Sequence, residues 1–544
     1  MPSLVSQLSE QIRQTIQVDP ELRAATKPQF GHFQSNVALR LGNEQGISSR
    51  EMAVRLVEQL DVSALCLPIE VAGPGFLNFR LRPEVLASAV NGILDDPHVG
   101  ISQVGQPERV VIDYSSPNVA KQMHVGHLRT TIIGDCFHRV LSSQGNTVIP
   151  QNHLGDWGRQ FGMLIEQVLA EELDLNTLDL PAAEELYLRA NAHIKEDETF
   201  ADRARARVVA LQAGDEETFS IWQQLVKISL AGFNQTYGRL NVLLTDDDVA
   251  GESTYNPYLA EICDDLESRG IAVMDDGALV VFVEGFDAPV IMRNSAGGYG
   301  YDVTDMAAVK YRVDVLHADR IIYVTDARQA DHFAKVFAVA RKAGYLPESV
   351  SAEHVGYGMV LGADGKPYST REGTAVHLSD LLDEAEELAA PNIALGAIKY
   401  ADLSNSLQKD YVFDAARMTK HVGDTGPYIQ YAHSRTSKIL RDAAAFGFEW
   451  DEVAVLTEPQ EQELALWLSR FGEVVDEVAE ELTPHKLCNY LFELATKYSA
   501  FYENCPVMKS DDEVRASRLA LCAATKRVLG TGLNLLGIDA PERM

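Results

Sequence analysis

Cysteine is scarce in this sequence, and its spacing excludes two common kinds of site. The chain has six cysteines among 544 residues, and no two of them form a CxxC pair. Zinc knuckles and disulfide-stabilised scaffolds need paired cysteines, so the spacing argues against both. We expect reduced, mostly buried thiols and no structural metal.

Long apolar runs are also missing. No uninterrupted apolar run reaches about 18 residues, the length that spans a bilayer. The first residues, MPSLVSQLSEQIRQ, have neither the basic segment nor the apolar core of a secretory signal. We therefore predict a cytoplasmic protein without a membrane partner.

Positive charge is in deficit. There are 47 lysines and arginines against 79 aspartates and glutamates, so the formal net charge is −32. This balance argues against a general nucleic-acid binder. It does not exclude one specific RNA, because at about 0.1 M salt charges beyond roughly 10 Å are screened. Local basic clusters exist, but each is more simply explained as a solvated helix face.

Length and hydrophobic periodicity divide the chain into about three or four domains. Residues 1–105 mix helix and strand patterns, residues 106–390 alternate strands with helices, and residues 391–544 are helical throughout. An all-helical insertion at about 180–240 interrupts the alternation, after which strands are predicted at 241–245, 278–283 and 289–293. The pattern predicts an α/β centre between an α+β domain and an all-α bundle.

The most informative stretch, residues 113–135, reads DYSSPNVAKQMHVGHLRTTIIGD. It follows a short apolar, β-branched run typical of a buried parallel strand, and helical spacing begins near His124. His124 and His127 share the first turn of that helix, and Gly126 leaves the backbone between them bare. Free N–H groups and the helix dipole favour an anion there, so the pattern predicts a phosphate site. Lys121 adds a mobile cation. A bare HxGH pattern alone would favour two surface histidines on an ordinary loop.

A second candidate site lies on a helix that is predicted to start within residues 299–305. Tyr301 and Asp305 lie one turn apart on one face of it. A phenol beside a carboxylate suits a guanidinium, which offers five donors in a planar fork. Taken alone, the pair is more simply an aspartate stabilised near a helix start. His332, near the start of a later helix, either faces this site or packs against the core.

The phrase SPNVAKQMHVGH is too long for chance, and it resembles the signature of class I aminoacyl-tRNA synthetases in the form of the arginyl-tRNA synthetases. The resemblance implies a Rossmann-type catalytic domain over residues 106–390. It implies that His124, Gly126 and His127 stabilise the transition state when an amino-acid carboxylate attacks the α-phosphate of ATP. The implied arginine-binding residues are Asp113, Asn118, Tyr301, Asp305 and Gln329. The implied ATP-binding residues are Ser116, Pro117, His124, Gly126, His127, Gly358, Met359, Val360 and Lys366. The family often has arginine before the aspartate of YxxxD, where this chain has Thr304.

One motif of that class is absent. Class I synthetases carry a KMSKS loop whose second lysine neutralises the phosphates of ATP. Aligned on Ser369, this chain reads PYSTR and has neither lysine. Arginyl enzymes often carry a lysine just upstream of HxGH instead, which here is Lys121. We therefore predict Lys121 as the catalytic cation, with Lys366 and Arg371 as secondary candidates.

Both ends of the chain extend the resemblance. GHFQSNVALRL and VAGPGFLNFRL resemble the N-terminal domain that binds the tRNA elbow in this family, which assigns residues 1–105. VGDTGPYIQYAHSR and the terminal PERM resemble its all-α anticodon-binding domain, which assigns residues 391–544. The residues expected to meet RNA are Tyr428, Tyr431, His433, Arg435 and Met544. Without the resemblance these regions read as a small structural domain and a helical interaction bundle.

The resemblance implies an arginine–tRNA ligase that joins L-arginine to the 3′ end of tRNA(Arg) through an arginyl-adenylate. Its implied partners are tRNA(Arg), L-arginine and ATP, with Mg²⁺ accompanying the ATP. We expect a monomer. One alternative is a catalytically inactive paralogue that binds tRNA, and the intact Lys121, His124, His127, Asp305 and Gln329 argue against it. Another is a small-molecule nucleotidyltransferase or ligase with the same HxGH chemistry, and the two flanking regions argue against that.

Overall fold

The structure is a computed structural model that describes residues 3–25, 27–368 and 376–544. Ser369 and Arg371 of the predicted ATP loop lie outside the described residues. In the described ranges no helix is long and apolar enough to cross a membrane.

Helices pack on a small antiparallel sheet in the N-terminal region. Its helices are α1 (Leu4–Ile16), α2 (Val37–Gln45), α3 (Ser49–Gln59) and α4 (Pro83–Asp95), and its strands are β1 (Leu22–Ala24), β2 (Phe33–Ser35), β3 (Glu70–Ala72) and β4 (Phe76–Phe79). The strand order is β1-β2-β4-β3, with antiparallel pairs. The apolar residues spaced four apart form α1 as predicted, and its Leu8 and Ile12 are buried.

The rest of the chain combines a parallel sheet with many helices. Its strands are β5 (Arg109–Asp113), β6 (Thr147–Gln151), β7 (Val273–Asp275), β8 (Ala278–Val281), β9 (Val290–Arg293), β10 (Arg320–Asp326), β11 (Ser351–Tyr357), β12 (Val360–Leu361) and β13 (Tyr411–Val412). Its helices to residue 390 are α5 (Val125–Ser143), α6 (Arg159–Ala170), α7 (Leu180–Glu196), α8 (Glu198–Gln212), α9 (Glu216–Arg239), α10 (Glu252–Tyr255), α11 (Leu259–Ser268), α12 (Tyr301–Asp314), α13 (Ala330–Ala343) and α14 (Leu378–Glu386). Those after it are α15 (Pro391–Leu403), α16 (Ala415–Met418), α17 (Gly426–Ala445), α18 (Pro459–Leu468), α19 (Phe471–Glu481), α20 (Pro484–Asn504) and α21 (Asp512–Leu535).

The parallel sheet positions the candidate site. Its strand order is β11-β10-β5-β6, and every neighbouring pair is parallel. The carboxyl ends of parallel strands meet at one edge of the sheet, where ligands bind in such folds. The chain leaves β5 toward α5 and leaves β10 toward α13 at this edge. The starts of both helices therefore lie on the same side of the sheet.

One predicted strand is wrong, and two others join a different sheet. Residues 241–245 form no strand, because Asn241 has a left-handed backbone (φ 50°) and the N–H of Leu243 donates to Asp135 at 2.8 Å. The other two predicted strands correspond to β8 and β9, which form a separate antiparallel sheet with β7 in the order β7-β8-β9. The predicted helical insertion is present as α7, α8 and α9.

The helical C-terminal region follows the predicted periodicity. Its core includes Leu464, Phe471, Leu491, Leu494 and Tyr498, all fully buried. The main departure is β13, which pairs in parallel with β12 and ties this region to the catalytic centre. Two arginines of the local basic clusters form ion pairs within the protein: Arg203 pairs with Glu166, and buried Arg518 pairs with Glu461. All six cysteines are free and buried.

Candidate active site

The loop that follows β5 is held in a conformation that side-chain-bearing residues rarely adopt. Ser115, Ser116 and Ala120 all have left-handed backbones, with φ of 74°, 52° and 58°. The hydroxyl of Ser115 lies 2.7 Å from that of Tyr237, and the N–H of Ser116 donates to Asn152 Oδ1 at 3.0 Å. Strained backbones of this kind persist where the surroundings hold them, and they cluster at functional sites.

His124 and His127 form a reciprocal cap at the start of α5. The Gly126 N–H donates to Nδ1 of His124 at 3.0 Å, and the His124 N–H donates to Nδ1 of His127 at 3.1 Å. The ring centroids lie 4.0 Å apart. Because each Nδ1 accepts a hydrogen bond, each neutral ring carries its proton on Nε2. The cap therefore leaves two Nε2–H donors for a ligand.

Both imidazoles are neutral at physiological pH. Burial, with the neighbouring His124, lowers the pKa of His127 to about 3. Burial and the charge of His377 lower the pKa of His124. Gly126 is needed for this geometry, since a Cβ at that position would lie 2.7 Å from Cε1 of His124. The pair can stabilise growing negative charge by hydrogen bonding, without acting as an acid.

Lys121 is held beside the histidines by the helical insertion. Its ammonium lies 4.3 Å from the ring centroid of Tyr187 in α7. Its charge is among the causes that lower the pKa of His124, which shows that it lies near that ring. The neighbouring Gln122 donates to Glu184 of the same helix at 2.8 Å. The insertion therefore supports the loop that carries the predicted cation.

Acidic side chains lie at the start of α12, where the sequence predicts the arginine pocket. Nε2 of His332 lies 2.6 Å from Asp305 Oδ2, and its Nδ1 lies 3.2 Å from Asp302 Oδ1. The ring of Tyr301 meets that of His332 edge to face, with centroids 5.0 Å apart, and its side chain is 69% exposed. His332 therefore faces this pocket and does not merely pack against the core.

Sequence reasoning missed a third carboxylate near this pocket, Glu252 at the start of α10. Burial and the charges of Asp156 and Asp305 raise the pKa of Glu252 to about 7. Gly251 permits this packing, since a Cβ there would lie 2.3 Å from Asp156 Oδ2. Periodicity gives no signal for such a residue. Its one local cue is a Gly-Glu-Ser triplet at a short helix start.

Asp113, predicted to bind arginine, has an internal partner. Its Oδ2 lies 2.6 Å from Nη2 of Arg312, a fully buried residue of α12. Its Oδ1 accepts a hydrogen bond from Ser116 at 3.0 Å. Asp113 therefore holds α12 against β5, and its predicted contact with arginine stays a prediction.

Asn118 and Gln329, the other predicted arginine ligands, lie at the same sheet edge. Asn118 is exposed and packs over Gly155, where a Cβ would lie 2.2 Å from its Oδ1. Gln329 is exposed at the N-cap of α13. Each follows the carboxyl end of a parallel strand, Asn118 after β5 and Gln329 after β10.

The segment predicted to meet ATP is fixed from two sides. Buried Arg129 of α5 donates to the carbonyl of Gly358 at 2.8 Å and pairs with Asp402 of α15 at 3.2 Å. The N–H of Met359 donates to Asp410 at 2.6 Å, and Val360 pairs with Tyr411.

The remaining ATP candidates, Pro117 and Lys366, precede residues 369–375, which lie outside the described residues. Pro117 is buried in the β5 loop, and Lys366 is exposed in a turn in which its carbonyl accepts from Gly362 at 2.8 Å. Beyond the stretch, the carbonyl of Val376 accepts from the N–H of Val125 at 3.0 Å. The chain therefore returns beside the histidine cap.

The predicted RNA face is only partly exposed. The guanidinium of Arg435 lies 5.0 Å from the ring centroids of both Tyr431 and Tyr502. Tyr428 is half-buried, and Met544 is 47% exposed. His433 is buried, with Nδ1 3.0 Å from the carbonyl of Pro541. Its ring packs against the end of the chain, and its expected contact with RNA stays a prediction.

Fold and site together define a class I tRNA synthetase. The model "tRNA synthetases class I (R), catalytic domain" matches residues 89–394. "Arginyl tRNA synthetase N terminal domain" matches residues 3–81, and "DALR anticodon binding domain" matches residues 429–544. The predicted divisions after residues 105 and 390 stay predictions.

Comparison with known proteins identifies the family within this class. The chain is 63% identical to the arginine–tRNA ligase of Cutibacterium acnes, with 100% of both chains covered. It is 48% identical to that of Frankia casuarinae, with 97% of this chain and 95% of the other covered. The arginyl-tRNA synthetase of Plasmodium falciparum superposes with a TM-score of 0.83 at 28% identity over 100% of both chains, and that of Thermus thermophilus with 0.81 at 28% over 99% of both. The chain belongs to the arginyl-tRNA synthetase family.

Proposed function

We propose that this chain activates L-arginine with ATP and transfers the arginyl group to the 3′ end of tRNA(Arg). The observation that carries the proposal is the shared sheet edge: the imidazoles of His124 and His127 lie on the same side as Asp305. An anion-stabilising helix start and a guanidinium-sized acidic pocket on one edge suit a reaction between ATP and arginine.

The first step joins arginine to the nucleotide. A carboxylate oxygen of arginine attacks the α-phosphorus of ATP, the bond to the bridging oxygen breaks, and pyrophosphate leaves. Negative charge grows on the α-phosphoryl oxygens as the bonds exchange. The neutral His124 and His127 donate Nε2–H bonds to those oxygens, and Lys121 offers a positive charge nearby. No proton transfer from either imidazole is needed.

Arginine is held by its guanidinium. Tyr301, Asp305 and Glu252 surround the proposed pocket, and two carboxylates with a phenol match the donors of the planar fork. Lysine, with one ammonium, would leave some of these acceptors unpaired. Lost hydrogen bonds of this kind support discrimination of roughly 10⁴-fold or more. Asn118 and Gln329 complete the proposal by binding the amino and carboxylate groups.

The second step uses RNA. A ribose hydroxyl at the 3′ end of the tRNA attacks the carbonyl carbon of the arginyl-adenylate, the mixed anhydride bond breaks, and AMP leaves. The proposed anticodon face is formed by Tyr428, Tyr431, Tyr502, Arg435 and Met544. We assign it because aromatic and guanidinium planes stack on unpaired bases. We propose that Mg²⁺ enters with ATP, because Mg²⁺ is usually bound by substrate phosphates. We also propose that the protein is a monomer.

Two assays test the proposal. Pyrophosphate exchange into ATP should require arginine, measured with and without tRNA, and charging of total tRNA with each amino acid in turn should select arginine. A tRNA-binding but inactive paralogue would show neither exchange nor charging. A small-molecule ligase would show exchange without transfer of label from arginine to tRNA.

A further inference from the structure

His332 bridges two carboxylates at the mouth of the proposed arginine pocket. Its Nε2 lies 2.6 Å from Asp305 Oδ2, and its Nδ1 lies 3.2 Å from Asp302 Oδ1. All three side chains are about four-fifths buried, with exposures of 18% for Asp305 and 19% for the other two.

The bridge requires a charged ring. A carboxylate only accepts hydrogen bonds, and a neutral imidazole carries a single N–H. A neutral His332 would turn a nitrogen lone pair toward one of the two carboxylates. Burial opposes the charged form, but the hydrogen bonds to Asp302 and Asp305 outweigh it and raise the pKa of His332 to about 9. A cation therefore occupies this position at neutral pH.

The other groups around the ring do not supply that charge. Tyr301 meets it edge to face at 5.0 Å, and Phe333 does so at 5.1 Å. His354 stacks on the far side of Phe333, and burial lowers its pKa, so it is neutral. Glu252 of α10 is a second carboxylate whose charge interacts with that of Asp305, and it supplies no positive charge. His332 is thus the cation in contact with Asp305 among the described residues.

We propose that the His332 imidazolium is a stand-in for the substrate guanidinium, and that it gives up a proton to solvent when arginine binds Asp305. The proposal rests on the arginine site proposed above. Two like charges that share a partly buried site repel each other, so the pocket favours one cation at a time. Charge balances in the exchange: protonated enzyme and arginine give the complex and one free proton.

Calorimetry measures that proton directly. Arginine is titrated into the full-length protein at about pH 8 in two buffers that differ in ionisation enthalpy, with and without tRNA. At that pH Glu252, with a pKa of about 7, is already ionised and contributes little. We expect release of nearly one proton per arginine bound. Because binding releases a proton, the apparent dissociation constant for arginine should fall about tenfold per pH unit between about pH 7 and 8.5.

Two variants distinguish loss of the His332 charge from a general disturbance of the local structure. His332→Gln keeps a donor for Asp305 without the charge, and it should bind arginine with almost no proton release. His354→Gln removes a nearby imidazole that touches neither carboxylate, and it should release as much as the parent. Unchanged release in His332→Gln, or none in the parent while arginine binds, would overturn the proposal. Absence of arginine binding altogether would instead overturn the arginine site.

Nitrogen-15 NMR of the histidine side chains gives an answer that does not depend on a variant's folding. The free protein should show one imidazole still charged at about pH 8, which becomes neutral when arginine saturates the site. A resonance that stays charged in the complex would refute the exchange, whatever the calorimetry shows.

Discussion

Asp305 offers the sharpest test of the arginine pocket. Asp305→Asn keeps the shape of the side chain and removes its charge and one acceptor. A hydrogen bond to a charged group contributes about 1.5–3 kcal/mol. The Asp305 side chain is only 18% exposed, so solvent screens the lost contact incompletely. A loss of about 3 kcal/mol raises KM for arginine by about 10²-fold.

The assay is pyrophosphate exchange with arginine and ATP varied in turn. KM for arginine should rise while KM for ATP stays unchanged, since the change lies away from the histidine cap. Asp302→Asn is a matched control, because Asp302 shares the helix, the His332 contact and the exposure of Asp305. Its effect on KM for arginine should be far smaller. Equal effects of the two variants, or an unchanged KM in Asp305→Asn, would refute the assignment.

Four further variants test the rest of the site. His127→Ala should lower kcat by about 10²–10³-fold with little change in KM for arginine; equal losses in both would mean that the histidine is structural. Since the pKa of His127 is about 3, the parent's kcat should show no step from this residue between about pH 6 and 8. Lys121→Ala should depress adenylate formation, whereas Lys366→Ala should not; near-normal exchange in the first variant would remove Lys121 from its role. Glu252 is ionised only above its pKa of about 7 and binds a guanidinium in that form, so KM for arginine should rise as the pH falls below about 7. Glu252→Gln should abolish that rise, and persistence of the same rise would exclude Glu252 from the pocket.

Local patterns predicted the helix starts well. The cap at His124 depends on residues two and three positions apart, so its geometry is already implied by the spacing of HxGH. The same holds for Tyr301 and Asp305, which share one turn of α12. A helix of known phase determines which near neighbours share a face.

Partners distant in the chain were not predictable. Arg312 pairs with Asp113 across 199 positions, and Asp305 meets His332 across 27. A local sequence pattern does not distinguish a carboxylate that is available to bind substrate from one that already pairs with another side chain. The failed strand at 241–245 has the same cause, because Asp135 takes the backbone N–H of Leu243 that a sheet would have used. His433 is predicted to meet RNA from its place among aromatic residues, yet its ring contacts the carbonyl of Pro541 near the end of the chain.

The contacts that hold Gly358 and Met359 in place limit where the protein can be truncated. Asp402, Asp410 and Tyr411, which hold those residues, lie beyond residue 394, where the match to the catalytic-domain model ends. A fragment cut at that point would leave Arg129 buried without its counter-ion, and it would remove the partners of Met359 and Val360. Because residues from both regions hold the segment proposed to bind ATP, a displacement of the helical region would also displace that segment.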